Sequence, residues 1–129
     1  MITTEKRPFI SVVDDDESVR KTVSRIIRAG GLEVLTYGSA EEFLANWGRA
    51  KSACLILDVN LPGISGVDLQ EHLNQSDSRT PIIFISADAD EPTRKRAVRA
   101  GAVSFLTKPF SAASLLDAVR STLHASGNP

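Results

Sequence analysis

The residues of this chain best suited to chemistry sit where short apolar runs stop. Asp14 and Asp15 follow Phe9 to Val13, Asp58 follows Cys54 to Leu57, Ser86 follows Ile82 to Ile85, and Lys108 lies just past Val103 to Leu106. If one end of the molecule gathers Asp14, Asp15 and Asp58, the carboxylates repel one another, and a hard divalent cation with oxygen ligands resolves the repulsion. Mg²⁺ fits that chemistry best. A bare carboxylate attacks an anionic phosphoryl group poorly, but a metal and an ammonium neutralise the charge that develops on the phosphoryl oxygens. Lys108 is the available cation, Ser86 offers a hydroxyl to a phosphoryl oxygen, and Ala87 is small enough to leave the approach open. Singly, each residue has a plainer reading. The acidic run Asp14-Asp15-Asp16 suits the positive end of a helix dipole, with Asp16 open to either role. Asp58 before Pro62-Gly63 suits a turn, and Lys108 and Ser86 suit any surface loop. Only the combination is specific.

Such residues need elements that bring four strand ends together. Five apolar runs read as strands: Phe9 to Val13, Leu32 to Leu35, Cys54 to Leu57, Ile82 to Ile85 and Val103 to Leu106. Between them lie helical spacings, such as Val19, Val23, Ile26 and Ile27, or Leu115, Leu116, Val119 and Leu123. Gly30-Gly31 and Gly101 mark helix ends. Ser39 with Glu42 makes a capping-box pattern, Ser111 caps the last helix, and Pro92 suits the first turn of the fourth. Phe43 and Trp47 read as packing residues of the second helix. Strict strand–helix alternation predicts an α/β fold, a doubly wound, five-stranded parallel sheet, and of the doubly wound orders we choose 2-1-3-4-5, flavodoxin-like (βα)5. In such sheets the functional crevice lies beyond the carboxyl ends of the strands, near the switch in strand order. That rule selects the loops beginning at Asp14, Asp58, Ser86 and Thr107.

With 129 residues, 42% of them hydrophobic, the chain has the size of one domain with a single core. We expect one domain over 1–129, its core at about 9–123 between short tails. The 15 basic and 16 acidic residues leave a formal net charge of −1, so no overall field favours nucleic acid or a membrane surface. No apolar stretch approaches the roughly 20 residues that span a bilayer, and MITTEKRPF has no signal-peptide core. The lone Cys54 cannot form an internal disulfide and reads as a buried small side chain, consistent with a cytoplasmic setting.

VVDDD, LILDVNLPGISG, IFISA and FLTKPF occur in the order of the response-regulator receiver family, which the chain resembles from about Phe9 to Leu123. SVVDDDESVRK and LDVNLPGISGVDL are most similar to the FixJ-like group. The resemblance implies that Asp58 is the phosphoacceptor. It implies that Asp15 is a direct Mg²⁺ ligand, that Asp14 acts mainly through water, and that Asn60 contributes its main-chain carbonyl; Mn²⁺ can substitute. It further implies Ser86 as switch hydroxyl, Lys108 as phosphoryl-binding lysine, Pro109 after a cis peptide bond, and Phe105 as a buried switch aromatic. Asn60 and Asp88, two residues beyond the phosphoacceptor and the switch hydroxyl, are implied to influence how long the phosphoryl group persists. Serine replaces the commoner threonine at 86, and phenylalanine stands where some members have tyrosine.

The implied partners are a sensor histidine kinase or phosphotransfer protein, a phosphorylation-dependent second copy, and a DNA-binding output domain in a longer protein, with no direct contact to nucleic acid or membrane by this domain. The implied chemistry is limited to the chain's own phosphoryl gain and loss. A phosphatase of the haloacid-dehalogenase type would need a carboxyl general acid two residues past the nucleophile, where this chain has Asn60. A nucleotide-binding module would need a GxxxxGK[ST] or a G-x-G-x-x-G after the first strand, and neither is present. A degenerate receiver would normally lack one of the acidic residues. Arg94, Lys95, Arg96 and Arg99 form a basic stretch on the fourth helix, read either as a solvated face or as a partner surface.

Overall fold

The computed structural model describes residues 9–46, 52–76, 79–88 and 90–125. Five strands and five helices alternate: β1 Phe9–Val13, α1 Glu17–Ala29, β2 Glu33–Tyr37, α2 Ala40–Ala45, β3 Cys54–Asp58, α3 Gly66–Gln75, β4 Ile82–Ser86, α4 Glu91–Arg99, β5 Ser104–Thr107 and α5 Ala112–Ala125. All pairings are parallel, as the alternation predicts, and the sheet order is the expected β2-β1-β3-β4-β5. The order reverses between β1 and β3, which places the carboxyl ends of those strands side by side.

The central strands are apolar on both faces because helices cover both. Val13, Leu55, Leu57 and Phe84 face one cluster with Phe43, Leu69, Leu73 and Ala97 from α2, α3 and α4. Ile10, Val12, Ile56, Ile83 and Ile85 face the other, with Val23, Ile27, Leu115 and Val119 from α1 and α5. The period of two along each strand distributes its residues between the two cores. Each fully buried Leu, Ile or Phe contributes about 1.5–3 kcal/mol of burial free energy.

Local chemistry ends the elements where expected. Ser39 caps α2 by accepting the Glu42 N–H at 3.0 Å, and Ser111 accepts the Ser114 N–H at 3.0 Å. The Glu42 carboxylate reaches back to the N–H of Gly38, not to that of the cap residue itself. Gly31 and Gly101 take positive φ, but Gly30 does not. Phe43 is buried against Tyr37, while Trp47 lies outside the described residues. No helix among the described residues is long and apolar enough to cross a membrane.

Cys54 is fully buried, and burial pushes its thiol up to about 12. The fold accepts only the neutral thiol, so this contribution to stability is complete below the ordinary value of 9.0 and is lost as pH rises towards 12. Native protein at about pH 8 should therefore resist a thiol reagent, and denatured protein should react at once. Rapid labelling of the native form would contradict this placement.

Candidate functional site

The four selected strand ends converge. Asp14 directly follows β1 and is fully buried; Asp58 and Ser86 are the last residues of β3 and β4, at 5% and 1% exposure. Lys108 directly follows β5, and its main-chain N–H donates to the Ser86 carbonyl at 2.8 Å. The Lys108-Pro109 peptide bond is cis. Asp15 is exposed, so the acidic cluster opens to solvent on one side.

Carboxylate oxygens of Asp14, Asp15 and Asp58 lie within 4.8 Å of one another. This donor set fits a small hard dication: all the atoms are oxygens, and the exposed side admits the waters that Mg²⁺ retains. Lys108 offsets part of the repulsion. Its Nζ donates to Asp14 Oδ2 at 2.8 Å and stands 3.5 Å from Asp58 Oδ2, so the ammonium expected at Asp58 is closer to Asp14. Both buried carboxylates attract it, and Asp14 is the more enclosed.

The remaining oxygens are held by main-chain donors. Asp58 Oδ1 accepts the Asn60 N–H at 3.1 Å, and Asp14 Oδ1 accepts the Asp16 N–H at 2.9 Å. Burial, then the neighbouring Asp14 charge, raises Asp58 above the ordinary carboxylate range against the pull of Asn60 and Lys108. Burial draws Lys108 down, but its bonds and attraction to Asp14 and Asp58 outweigh that and raise it. Ser86 Oγ accepts the Asp88 N–H at 3.2 Å, leaving its own proton available to donate. Asn60 and Asp88 are exposed at the mouth of the site.

Phe105 is only partly buried, not enclosed as the sequence suggested, because β5 is an edge strand. Its ring stacks on Phe84, with centroids 6.0 Å apart, and Arg94 lies 5.7 Å from its centre. Asp16 acts as the N-cap of α1, accepting from Ser18, and belongs to the helix start. The basic stretch divides: Arg96 pairs with Glu71 and Asp68 of α3, Arg94 lies near Glu91, and Lys95 and Arg99 are exposed.

Two residues near the site escaped the sequence reading. Arg20 donates from Nη1 to the Asp14 main-chain carbonyl at 2.7 Å. Gly66, the first residue of α3, packs so closely on β3 that a Cβ there would overlap the Asp58 carbonyl oxygen. A glycine directly after the cap Ser65, where helix propensity disfavours it, was the available signal for a close approach.

The model of the response regulator receiver domain matches residues 10–120. Nodulation protein W of Bradyrhizobium diazoefficiens is 45% identical over 113 residues, which cover 88% of this chain and 50% of that protein. Among solved structures, the response regulator StyR has a TM-score of 0.86 at 42% identity, over 93% of this chain and 61% of that one. FixJ-N has a TM-score of 0.84 at 32% identity, over 93% of this chain and 96% of that one. The chain spans about half the length of the curated relatives it matches.

Proposed function

This chain belongs to the response regulator receiver family of two-component signalling, and from that premise we propose that it is a phosphorylation switch whose Asp58 accepts a phosphoryl group in a Mg²⁺-dependent reaction. The observation that carries the reading is the meeting of Asp14, Asp15, Asp58 and Lys108 at the carboxyl edge of the sheet.

Asp15 and Asp58 would hold Mg²⁺ directly and Asp14 through water, with the Asn60 main-chain carbonyl completing the set, and Mn²⁺ would fit the same place. The bound ion supplies neutralisation of negative charge at the phosphoryl oxygens. An Asp58 carboxylate oxygen forms the new O–P bond as the donor's bond to phosphorus breaks. The leaving group keeps that electron pair, as an imidazole that takes up a proton or as acetate. Lys108 transfers N–H donation from Asp14 to a phosphoryl oxygen, and Ser86 donates its hydroxyl proton to another. Asn60 and Asp88 border the path of the water that later hydrolyses the acyl phosphate.

Ser86, drawn toward the phosphoryl group, vacates space into which Phe105 turns from its partly buried position. The phosphoryl contacts thereby shift the population of the α4, β5 and α5 face. That face serves a second copy or an attached DNA-binding output domain, and a histidine kinase or phosphotransfer protein supplies the phosphoryl group. The receiver acts as one cytoplasmic unit with its core at about 9–123. It does not itself bind nucleic acid or turn over an external substrate.

Intact-mass analysis after incubation with acetyl phosphate tests this. One added phosphoryl group is expected with Mg²⁺ and none when EDTA removes it; equal labelling in EDTA contradicts the reading. In the same assay, Lys108→Ala should weaken the phosphate-triggered conformational change far more than Lys95→Ala, whose side chain is exposed on α4.

A further inference from the structure

We infer that Arg20 is a positioning residue for the acidic end of β1: by holding the Asp14 main-chain carbonyl, it sets Asp14 and Asp15 for a divalent cation. The inference rests on the Mg²⁺ reading above and adds to it a residue that touches no ligand.

Four polar groups of Asp14 are engaged. Its N–H donates to the Tyr37 carbonyl at 3.1 Å, Oδ1 accepts from Asp16, Oδ2 accepts from Lys108, and the carbonyl oxygen accepts from Arg20. The Arg20 bond, at 2.7 Å, is a short charge-assisted contact between partly buried groups. The carbonyl it holds belongs to the planar peptide that joins Asp14 to Asp15, so fixing that oxygen also orients Asp15. Asp15 otherwise sits exposed on a loop between β1 and α1.

Arg20 is well placed for this task. It lies in the first turns of α1, where its main-chain N–H donates to the Asp16 carbonyl at 3.0 Å, and a Cβ at Gly38, after β2, would stand 3.5 Å from its Nη1. The side chain thus ties the start of α1 to the end of β1, next to the metal-facing loop. Among the described residues its neighbour Lys21 pairs with exposed Glu17 at 3.0 Å. Lys108 is shared between Asp14 and Asp58, whereas the Arg20 contact uses the main chain and occupies neither Asp14 carboxylate oxygen.

Charge alone and positioning have opposite consequences. Deleting a cation near a dication site by itself strengthens cation binding; losing the brace weakens it, because Asp15 and Asp14 must then be ordered on binding. Calorimetric titration of the whole chain with MgCl₂ separates them, using wild type, Arg20→Met, Arg20→Gln and Lys21→Met, with thermal unfolding in EDTA beside each. Arg20→Met should weaken Mg²⁺ binding about tenfold, the low end for loss of an outer partner of a metal site. Arg20→Gln, which keeps an N–H donor on a shorter side chain, should recover part of that loss, and Lys21→Met should bind at least as tightly as wild type. Wild-type or tighter binding by Arg20→Met overturns the inference, as does a fall in unfolding temperature with unchanged affinity. If Arg20→Met does not fold, tighter-than-wild-type binding by Arg20→Gln overturns it equally. Absence of Mg²⁺ binding in the wild type would instead remove the switch reading, and this inference with it.

Discussion

Asp58→Asn is expected to take up no phosphoryl group from acetyl phosphate or a phosphorylated kinase, while unfolding at the same temperature as wild type or above it. The two halves of this result have one cause. Asp58 is the last residue of β3, buried, its Oδ1 accepting the Asn60 N–H, with Asp14 and Asp15 carboxylates close by. Asparagine fills the same volume, and its amide oxygen can keep the Asn60 N–H bond. What it removes is the anionic oxygen that would attack phosphorus, and with it one of three crowded negative charges. Loss of the nucleophile should be complete, since neither Asp14 nor Asp15 occupies the end of β3. Loss of the charge relieves repulsion in metal-free protein, while Lys108 retains its nearer partner, Asp14. Intact-mass analysis and thermal unfolding in EDTA check the two halves. Full labelling of Asp58→Asn would move the acceptor elsewhere, and a collapse in unfolding temperature would mean that Asp58 is chiefly structural.

The convergence was legible because a parallel sheet leaves its chemistry at strand ends, and apolar runs reveal where strands end. The same cue also set the limits of the reading. Strands β3 and β4 each run one residue past their apolar segments: Asp58 still pairs with Ile85, and Ser86 with Thr107. The polar site residues are therefore the final rungs of the ladder, where sheet hydrogen bonds fix their direction. The second strand begins at Glu33 and continues through Thr36 to Tyr37, and the exposed polar Glu33 and Thr36 are what an apolar run leaves out. Val103 reads as a strand residue by type, yet it is exposed, and β5 starts at Ser104. Arg96 could not be assigned from its own helix, since its partners Glu71 and Asp68 come from α3, which only the packing of two crossovers on one face brings alongside. Arg20 was hidden for a related reason: its acceptor is a main-chain carbonyl, which every residue possesses, so no residue type announces the contact.

Gly66→Ala should be the most damaging single-methyl change near the site, costing about 3 kcal/mol, the upper end of ordinary overpacking. For a domain of this size that is a fall of roughly 10 °C in unfolding temperature. The first residue of α3 donates its N–H to the Val59 carbonyl at 3.1 Å, which draws the helix start onto the end of β3. A methyl group there would overlap the Asp58 carbonyl oxygen and come within 3.0 Å of Val59 Cα. Both obstacles are backbone, so no side-chain rotation relieves them. Either α3 withdraws, loosening Val67, Leu69 and Leu73 from Leu55 and Leu57, or the end of β3 shifts and carries the Asp58 carboxylate with it. The first route lowers stability and the second slows phosphorylation, so the variant should show at least one loss and commonly both. Gly38→Ala is the matched control: it lies near Arg20 and Glu42, but a Cβ there meets nothing closer than 3.5 Å, an ordinary contact. Its cost should stay within about 1 kcal/mol. Thermal unfolding in EDTA together with the rate of acetyl phosphate labelling separates the two routes for Gly66→Ala. Wild-type values in both would mean that α3 can slide on β3 at little cost, and that the closeness of helix and strand does not hold Asp58 in place.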